Sequence, residues 1–506
     1  MMDARVPLFA NRPMSRFTTF ARARLAVPVV ALTVVALTVA ACSPPIDSTV
    51  SVPGTSPRTP PVRVNVPAVS ATELDTMIQR VVREKHMVGL SVGVMQNGAM
   101  ILAKGYGQRV LSPSEPVTPT TMFPIGSVTK QFTCSAALLL AQDSKLSMQD
   151  PVAMYVPTAT RAKDITLLDL GQHVSGYRDY YPLDFVVREM QQAEGADTII
   201  GRYATRPLDF EPRTRWSYSN TNFLILGKAI EQASGKRIDA VLSQRIFEPL
   251  KMTRTAYDPP VTDTGLARGY TSYALAAPTP ALREASGWTG AAGAMWSTPT
   301  DLLTWDLALI DGTLLSASSF ATLTTPRTLT DGRSTGYGCG MDVRLTGDAV
   351  VLSHGGAVAG AIAQNYLVPV SRSGLVLLSN ADFAAVSEII STILPKLTPH
   401  LTVPTVAGLP AIDAAKAFLA SVENGTLDRR TLGDDFNALL TPEHLAADRA
   451  SLATNGRVSD VRVMRTVERG GMEVAAVQFK VGTVEAQSSM YRTPDGKIQQ
   501  FLINRR

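Results

Sequence analysis

Residues 127–141 constrain this chain more than any other stretch. Phe132, Ala136, Leu139 and Leu140 recur there at helical spacing, with no glycine or proline to interrupt them, which predicts a largely buried helix. The loop Phe123-Pro124-Ile125-Gly126 sets the entry to it. Because its turns are apolar, this helix is expected at the centre of a fold. Two polar groups nevertheless stand at its start, Ser127 and Lys130. Side chains at i and i+3 share a helix face, so the amine can lie beside the hydroxyl. A serine hydroxyl attacks poorly until a neighbouring base takes its proton, and a buried lysine can have its pKa lowered enough to be that base or a relay. The free N–H groups of a helix N-terminus favour developing negative charge. Taken alone, Ser-x-x-Lys is equally compatible with a capped surface helix, so the rest of the chain has to decide.

The surrounding pattern predicts an α+β fold. Ser70 and Glu73 form a capping box before a helix with an apolar stripe at Leu74, Met77, Ile78, Val81 and Val82. Apolar runs at 88–95 and 99–103 flank Asn97-Gly98, a hairpin signal. A long helix-and-loop region extends to about residue 310. Short strands follow at 349–352, 361–368 and 374–378, then a helix at 384–394. This order predicts an antiparallel sheet flanked by helices, with an all-helical insert, over residues 71–402. Residues 401–410 carry two prolines and read as a linker. Beyond them a helix at 412–427 and strands at 461–467, 472–481, 483–492 and 498–503 predict a separate small α+β domain at 406–506.

The N-terminus speaks to location. Arg16, Arg22 and Arg24 precede the uncharged apolar run 25–41 (LAVPVVALTVVALTVAA), and small residues lead into Cys42. Residues 1–41 read as a secretory signal peptide. The junction resembles a bacterial lipobox, with Cys42 as the lipidation site; a transmembrane anchor is the competing reading. Met14 is an alternative start that gives a more usual signal length. Residues 42–70, rich in Pro, Ser, Thr and Val, read as an extended tether. The working part is therefore expected outside the cytoplasm, in contact with a membrane through lipid. The formal charge of +5 resides mostly in this leader, where five arginines face one aspartate. The remainder is nearly neutral and argues against nucleic-acid binding. Cys134 and Cys339 are expected to be small buried apolar residues rather than a disulfide framework. No His/Cys/Asp/Glu cluster has metal-ligand spacing, so neither metal nor cofactor is expected.

Two further elements give the serine–lysine pair its context. Trp216-Ser217-Tyr218-Ser219-Asn220 offers a tyrosine as proton shuttle and an asparagine to hold substrate and lysine. His354-Gly355-Gly356-Ala357 leads into an apolar strand, and its glycines allow close backbone approach. In this order the three elements resemble the active-site set of the penicillin-recognising serine hydrolases, which include class C β-lactamases, DD-peptidases, D-aminopeptidases and related esterases. The phrases Phe247-Glu248-Pro249-Leu250-Lys251-Met252 and Gly293-Ala294-Met295-Trp296-Ser297 resemble that family as well. The resemblance covers about residues 71–397.

It implies a β-lactamase/transpeptidase-like fold and the following roles. Ser127 is the nucleophile and Lys130 the base or proton relay. Tyr218 protonates the leaving group. Asn220 orients substrate and lysine. The N–H groups of Ser127 and Ala357 form the oxyanion hole, with Gly356 beside it, and His354 meets the substrate carboxylate or polar tail. Two departures stand out. His354 replaces the lysine of class C β-lactamases, as in DD-peptidases and D-aminopeptidases. Val174, in Gln172-His173-Val174-Ser175-Gly176, departs from the family's His-Thr-Ser-Gly phrase. The expected activity is cleavage of amide or ester bonds in small D-amino-acid peptides, peptidoglycan fragments or esters. A class C-like β-lactamase and a non-catalytic penicillin-binding sensor are the alternatives. The C-terminal texture resembles the nuclear-transport-factor-like cone.

Overall fold

The computed structural model describes residues 64–505 except 261, 275, 347, 348, 400–402 and 470. The signal segment, Cys42 and most of the tether lie outside the described residues.

Seven antiparallel strands form the main sheet. They are β1 (Gly89–Gln96), β2 (Ala99–Val110), β3 (Glu115–Pro116), β4 (Asp342–Thr346), β5 (Ala349–Val358), β6 (Ala361–Val368) and β7 (Ser373–Ser379), in the order β3-β2-β1-β7-β6-β5-β4. The β1–β2 hairpin turns at Asn97 and Gly98, both at positive φ (52° and 84°), as a two-residue turn of this chemistry requires. Strands β1 and β7 are buried along their whole length. Helices cover both faces of the sheet there, so no outward polar alternation is needed. On one face lie α1 (Ala71–Glu84), capped by Ser70, and the closing helix Ser387–Leu397. On the other lies Pro299–Asp311, which packs on β1 and β7.

The helix expected at the centre is there. A 3₁₀ turn, Gly126–Val128, leads into α2 (Thr129–Gln142), whose residues are buried from Thr129 to Leu140. Phe132 stacks on Trp305 at 4.4 Å, and the Trp305 indole N–H donates to Gln131 Oε1 at 2.9 Å. Against α2 packs α3 (Asn220–Ser234), which belongs to the insert. The insert is not wholly helical. Ala256–Tyr257 and Phe123–Pro124 both pair with Met295–Ser297, and Tyr270–Thr271 pairs with Thr279–Pro280. Proline, glycine and threonine in this half favour extended pieces over helix.

Cys134 and Cys339 correct the expectation of two separate apolar residues, because they form a disulfide. They are 205 positions apart in sequence, yet α2 and the loop before β4 bring their Cα atoms to 5.9 Å. That distance suits the bond, and nothing local in the sequence encodes it. Gly171 makes room: a Cβ there would lie 2.3 Å from Cys339 Sγ.

The C-terminal segment builds its own core. Helices Ala411–Asn424 and Pro442–Asn455 accompany the antiparallel strands Val458–Arg469, Met472–Val481, Val484–Arg492 and Ile498–Phe501, with Phe418 against Phe501 at 4.7 Å. Arg492, buried, donates to Glu473 Oε2 at 2.7 Å and to the Leu409 carbonyl at 2.6 Å, which ties the linker to this sheet.

Candidate active site

The small three-stranded sheet sets the nucleophile loop. The Ile125 N–H donates to the Met295 carbonyl at 2.9 Å, and Gly126 turns the chain at φ 48° into the 3₁₀ turn that carries Ser127. One turn on, Lys130 is fully buried. Its Nζ lies 3.0 Å from Ser127 Oγ, 2.8 Å from Asn220 Oδ1 and 2.8 Å from the Ala292 carbonyl. Asn220 opens α3, and its Nδ2 donates to the carboxylate of Asp179 at 3.2 and 3.3 Å. A carboxylate can only accept, so this contact assigns the amide with Oδ1 toward the lysine. Burial lowers the lysine pKa from 10.5 to about 7; the charge of Asp179 partly opposes this.

The hydrogen-bond inventory then orients the amine. Asn220 Oδ1 and the Ala292 carbonyl are acceptors only, so they take the two N–H bonds of a neutral amine. The lone pair remains for the Ser127 hydroxyl. A neutral Lys130 thus directs its lone pair at the Ser127 hydroxyl.

Tyr218 is half-buried beside them. Its hydroxyl hydrogen-bonds the Ser127 side chain, and its ring lies 4.8 Å from Lys130 Nζ. Burial raises the phenol well above its usual value, with Asp179 and Asp342 adding to the rise. At neutral pH the tyrosine therefore keeps its proton, and the lysine is the group able to accept one.

Strand β5 closes the other side. Gly356 lies against the nucleophile loop so tightly that a Cβ would stand 2.0 Å from the Ile125 carbonyl oxygen and 3.1 Å from the Ser127 nitrogen. The backbones of Gly126 and Ala357 run side by side, and Ala357 is exposed to the cleft. A Gly356→Ala variant must push one backbone away, since neither contact is the end of a flexible side chain. It should lower kcat/KM by about 10²-fold, the effect of ångström-scale misplacement, while thermal unfolding still reports a folded protein. Wild-type kinetics in a folded variant would contradict this reading.

His354 lies on β5, two residues before Gly356. It is buried, with Nε2 2.8 Å from the Tyr337 hydroxyl and Nδ1 2.6 Å from the Gly355 carbonyl. Since that carbonyl only accepts, Nδ1 carries the proton and Nε2 accepts from Tyr337. Burial, helped by the charge of Lys130, lowers its pKa to about 3. In this arrangement it brings no positive charge to a substrate carboxylate, and it faces the Tyr218 ring at 6.2 Å. Val174 is fully buried, so its departure from the family phrase does not touch the cleft directly.

Several participants were not singled out in the sequence. Asp179 orients Asn220. His173, at φ 57°, accepts from the Ser219 N–H at 3.1 Å and lies 4.3 Å from the Tyr218 ring. Tyr337 holds His354. A histidine in a phrase otherwise quoted for its valine was the one available signal; Asp179 and Tyr337 had none.

The fold agrees with comparisons to known proteins. The chain belongs to the Beta-lactamase family, whose profile matches residues 74–393. Among curated relatives, a D-aminopeptidase of Brucella anthropi is 30% identical over 317 residues, which is 62% of this chain and 60% of that protein. A D-aminopeptidase of Brucella canis is 28% identical over 322 residues, 63% of this chain and 61% of that protein. The chain thus matches under two thirds of the length of these relatives. In fold, it is similar to a D-amino acid amidase from Ochrobactrum anthropi SV3 (TM-score 0.57, 22% identity), covering 64% of this chain and 99% of that one. It is also similar to an octameric penicillin-binding protein homologue from Pyrococcus abyssi (TM-score 0.57, 20% identity), covering 86% of this chain and 100% of that one.

Proposed function

We propose that this chain is an extracytoplasmic serine hydrolase that cleaves amide bonds of D-amino-acid amides and short D-amino-acid peptides through an acyl-enzyme on Ser127. The observation that carries the reading is the buried Lys130 amine, 3.0 Å from Ser127 Oγ with its other two partners restricted to accepting. In acylation, Ser127 Oγ bonds to the substrate carbonyl carbon as its proton passes to Lys130. The N–H groups of Ser127 and Ala357 receive the oxyanion. Collapse breaks the C–N bond, Tyr218 protonates the departing amine, and the proton on Lys130 restores the phenol. Water then adds to the ester along the reverse path and frees the acid. Asn220, held by Asp179, keeps the lysine in register.

The substrate class rests on the D-aminopeptidase relatives and on His354. Neutral and engaged at both nitrogens, His354 does not supply the cation that a lysine would bring in a class C-like β-lactamase; that activity and a sensor role are the weaker readings. Peptidoglycan fragments and small esters fall within the same chemistry. Location rests on residues 1–42 alone: a signal peptide, with lipid on Cys42 holding the domain to a membrane. The C-terminal domain, nuclear-transport-factor-like in sequence texture, reads as an accessory unit.

The pH profile tests the assignment of the base. Because Lys130 must be neutral to act, kcat/KM for a D-alanine p-nitroanilide should rise with pH, with an inflection near 7, and level above it. Stability should move in the same direction. The folded chain holds this proton less tightly than the unfolded chain does. Between about 7 and 10.5 the unfolded state therefore binds more protons, and the lysine makes folding more favourable as pH rises. A flat profile from pH 6 to 9, with chemistry rate-limiting, would remove Lys130 from the role of base.

A further inference from the structure

A cavity of about 720 Å³ adjoins the loop that leads into Ser127 and carries a charge pattern that the mechanism does not use. Its near wall continues the two backbones that flank Ser127. Pro124 and Gly293 stand on one side, where a Cβ on Gly293 would come 3.6 Å from the Gly126 backbone. Val358 and Ala359, directly after Ala357, stand on the other. A substrate group attached to the carbonyl at Ser127 can extend along this edge into the cavity, whose size suits one or two amino-acid residues.

The far part of the cavity holds Arg268 and Arg283. The guanidinium of Arg283 stacks on the Trp296 ring, 4.6 Å from its centroid, and is partly buried. Neither arginine side chain has a hydrogen bond, or a carboxylate oxygen within 4 Å, among the described residues; Arg283 feels the charges of Asp258 and Glu284 only at longer range. The carboxylates in the same wall are, by contrast, already occupied by neutral donors. Asp258 accepts from the Ser286 hydroxyl at 2.5 Å and Asp263 from the Gly265 N–H at 2.7 Å. Glu284 accepts from the Tyr181 hydroxyl at 2.7 Å and from the Ala359 N–H at 3.1 Å. A partly desolvated guanidinium, held flat on an indole with its fork of donors unmet, is shaped for a carboxylate.

We propose that this cavity is the subsite for the acyl portion of the substrate, and that Arg283, assisted by the more exposed Arg268, binds a carboxylate carried there. The inference rests on the reading of Ser127 as nucleophile. It narrows the substrate class to D-amino-acid amides and peptides whose acyl part bears a free carboxyl group.

The test compares two matched pairs on the full chain: D-glutamyl against D-glutaminyl p-nitroanilide, and N-succinyl- against N-acetyl-D-alanine p-nitroanilide. At least one carboxylate should be preferred in kcat/KM by about 10–100-fold, the range of one charge-assisted hydrogen-bonded pair. Arg283→Gln should bring that ratio to about 1, Arg283→Lys should retain part of it, and Arg283→Glu should invert it. The ratio is internal to each variant, so a general loss of folded enzyme does not alter it. No carboxylate preference in either pair, or a preference that survives both Gln and Glu, overturns the subsite. If neither pair is turned over while a neutral fluorophosphonate still labels Ser127, the carboxylate subsite fails and the serine hydrolase reading stands. If Ser127 is not labelled either, both fail.

Discussion

Ser127→Ala should lower kcat/KM at least ~10³-fold on any D-amino-acid amide that the wild type cleaves, and Lys130→Met should do nearly as much. The two residues act as one unit. Without the hydroxyl there is no atom to acylate, and without the amine nothing 3.0 Å away can take the proton. The double variant should therefore be no slower than Ser127→Ala alone, since the second loss removes a group that has nothing left to activate. Labelling by a fluorophosphonate, read by the mass of the adduct, should disappear in Ser127→Ala. The variants should separate in stability. Ser127 lies at the cleft and its truncation leaves a small change. Lys130→Met strands two buried acceptors, Asn220 Oδ1 and the Ala292 carbonyl, which should cost about 1–3 kcal/mol each less the gain from removing a buried amine. Undiminished turnover or labelling in folded Ser127→Ala would sink the mechanism.

Replacing Cys134 and Cys339 together by serine, or reducing them, should produce the largest stability loss available from a change away from the cleft. The bond closes a loop spanning 205 positions. In the chain-entropy treatment a loop of that length is worth about 5 kcal/mol, an upper figure because unfolded chains are more compact than the treatment assumes. The site is fully buried, with Gly171 against both sulfurs, so two serine hydroxyls placed there add a desolvation cost to the loss. The expected result is a lower midpoint in urea and a lower Tm for the unfolding step of the part built on the seven-stranded sheet, with wild type plus reductant approaching the variant. Because the chain also holds a C-terminal core, the transition should be followed by hydrogen exchange on α2 rather than by a whole-chain signal. Equal midpoints with and without the bond would show that the unfolded chain gains no freedom from losing it.

The elements most legible in sequence were those with a local cause. The helix after Ser70, the Asn97-Gly98 hairpin and the apolar run into α2 each have a cap, a turn dipeptide or a periodicity to mark them. Less legible were pieces defined by their partners. The two-residue strands Phe123–Pro124 and Ala256–Tyr257 have no pattern of their own and exist because Met295–Ser297 lies between them. At the site, Ser127, Lys130, Tyr218, Asn220 and Gly356 could be named from motif order. Asp179 and Tyr337 could not, because an aspartate and a tyrosine in loops carry no spacing signal.

By itself the sequence determined which residue types stand together along the chain: a serine three before a lysine at the start of an apolar helix, a tyrosine two before an asparagine, and glycines after a histidine. Those are local facts, governed by helix and turn periodicity. Tertiary structure alone decided their chemical states. Full burial lowers the Lys130 pKa to about 7, and the acceptor-only character of Asn220 Oδ1 and the Ala292 carbonyl turns the lone pair of its neutral amine to Ser127. The same burial leaves His354 neutral and bound to Tyr337, and it brings Cys134 to Cys339. Desolvation, hydrogen-bond direction and loop closure depend on atoms tens to hundreds of positions away, and no periodicity reports them.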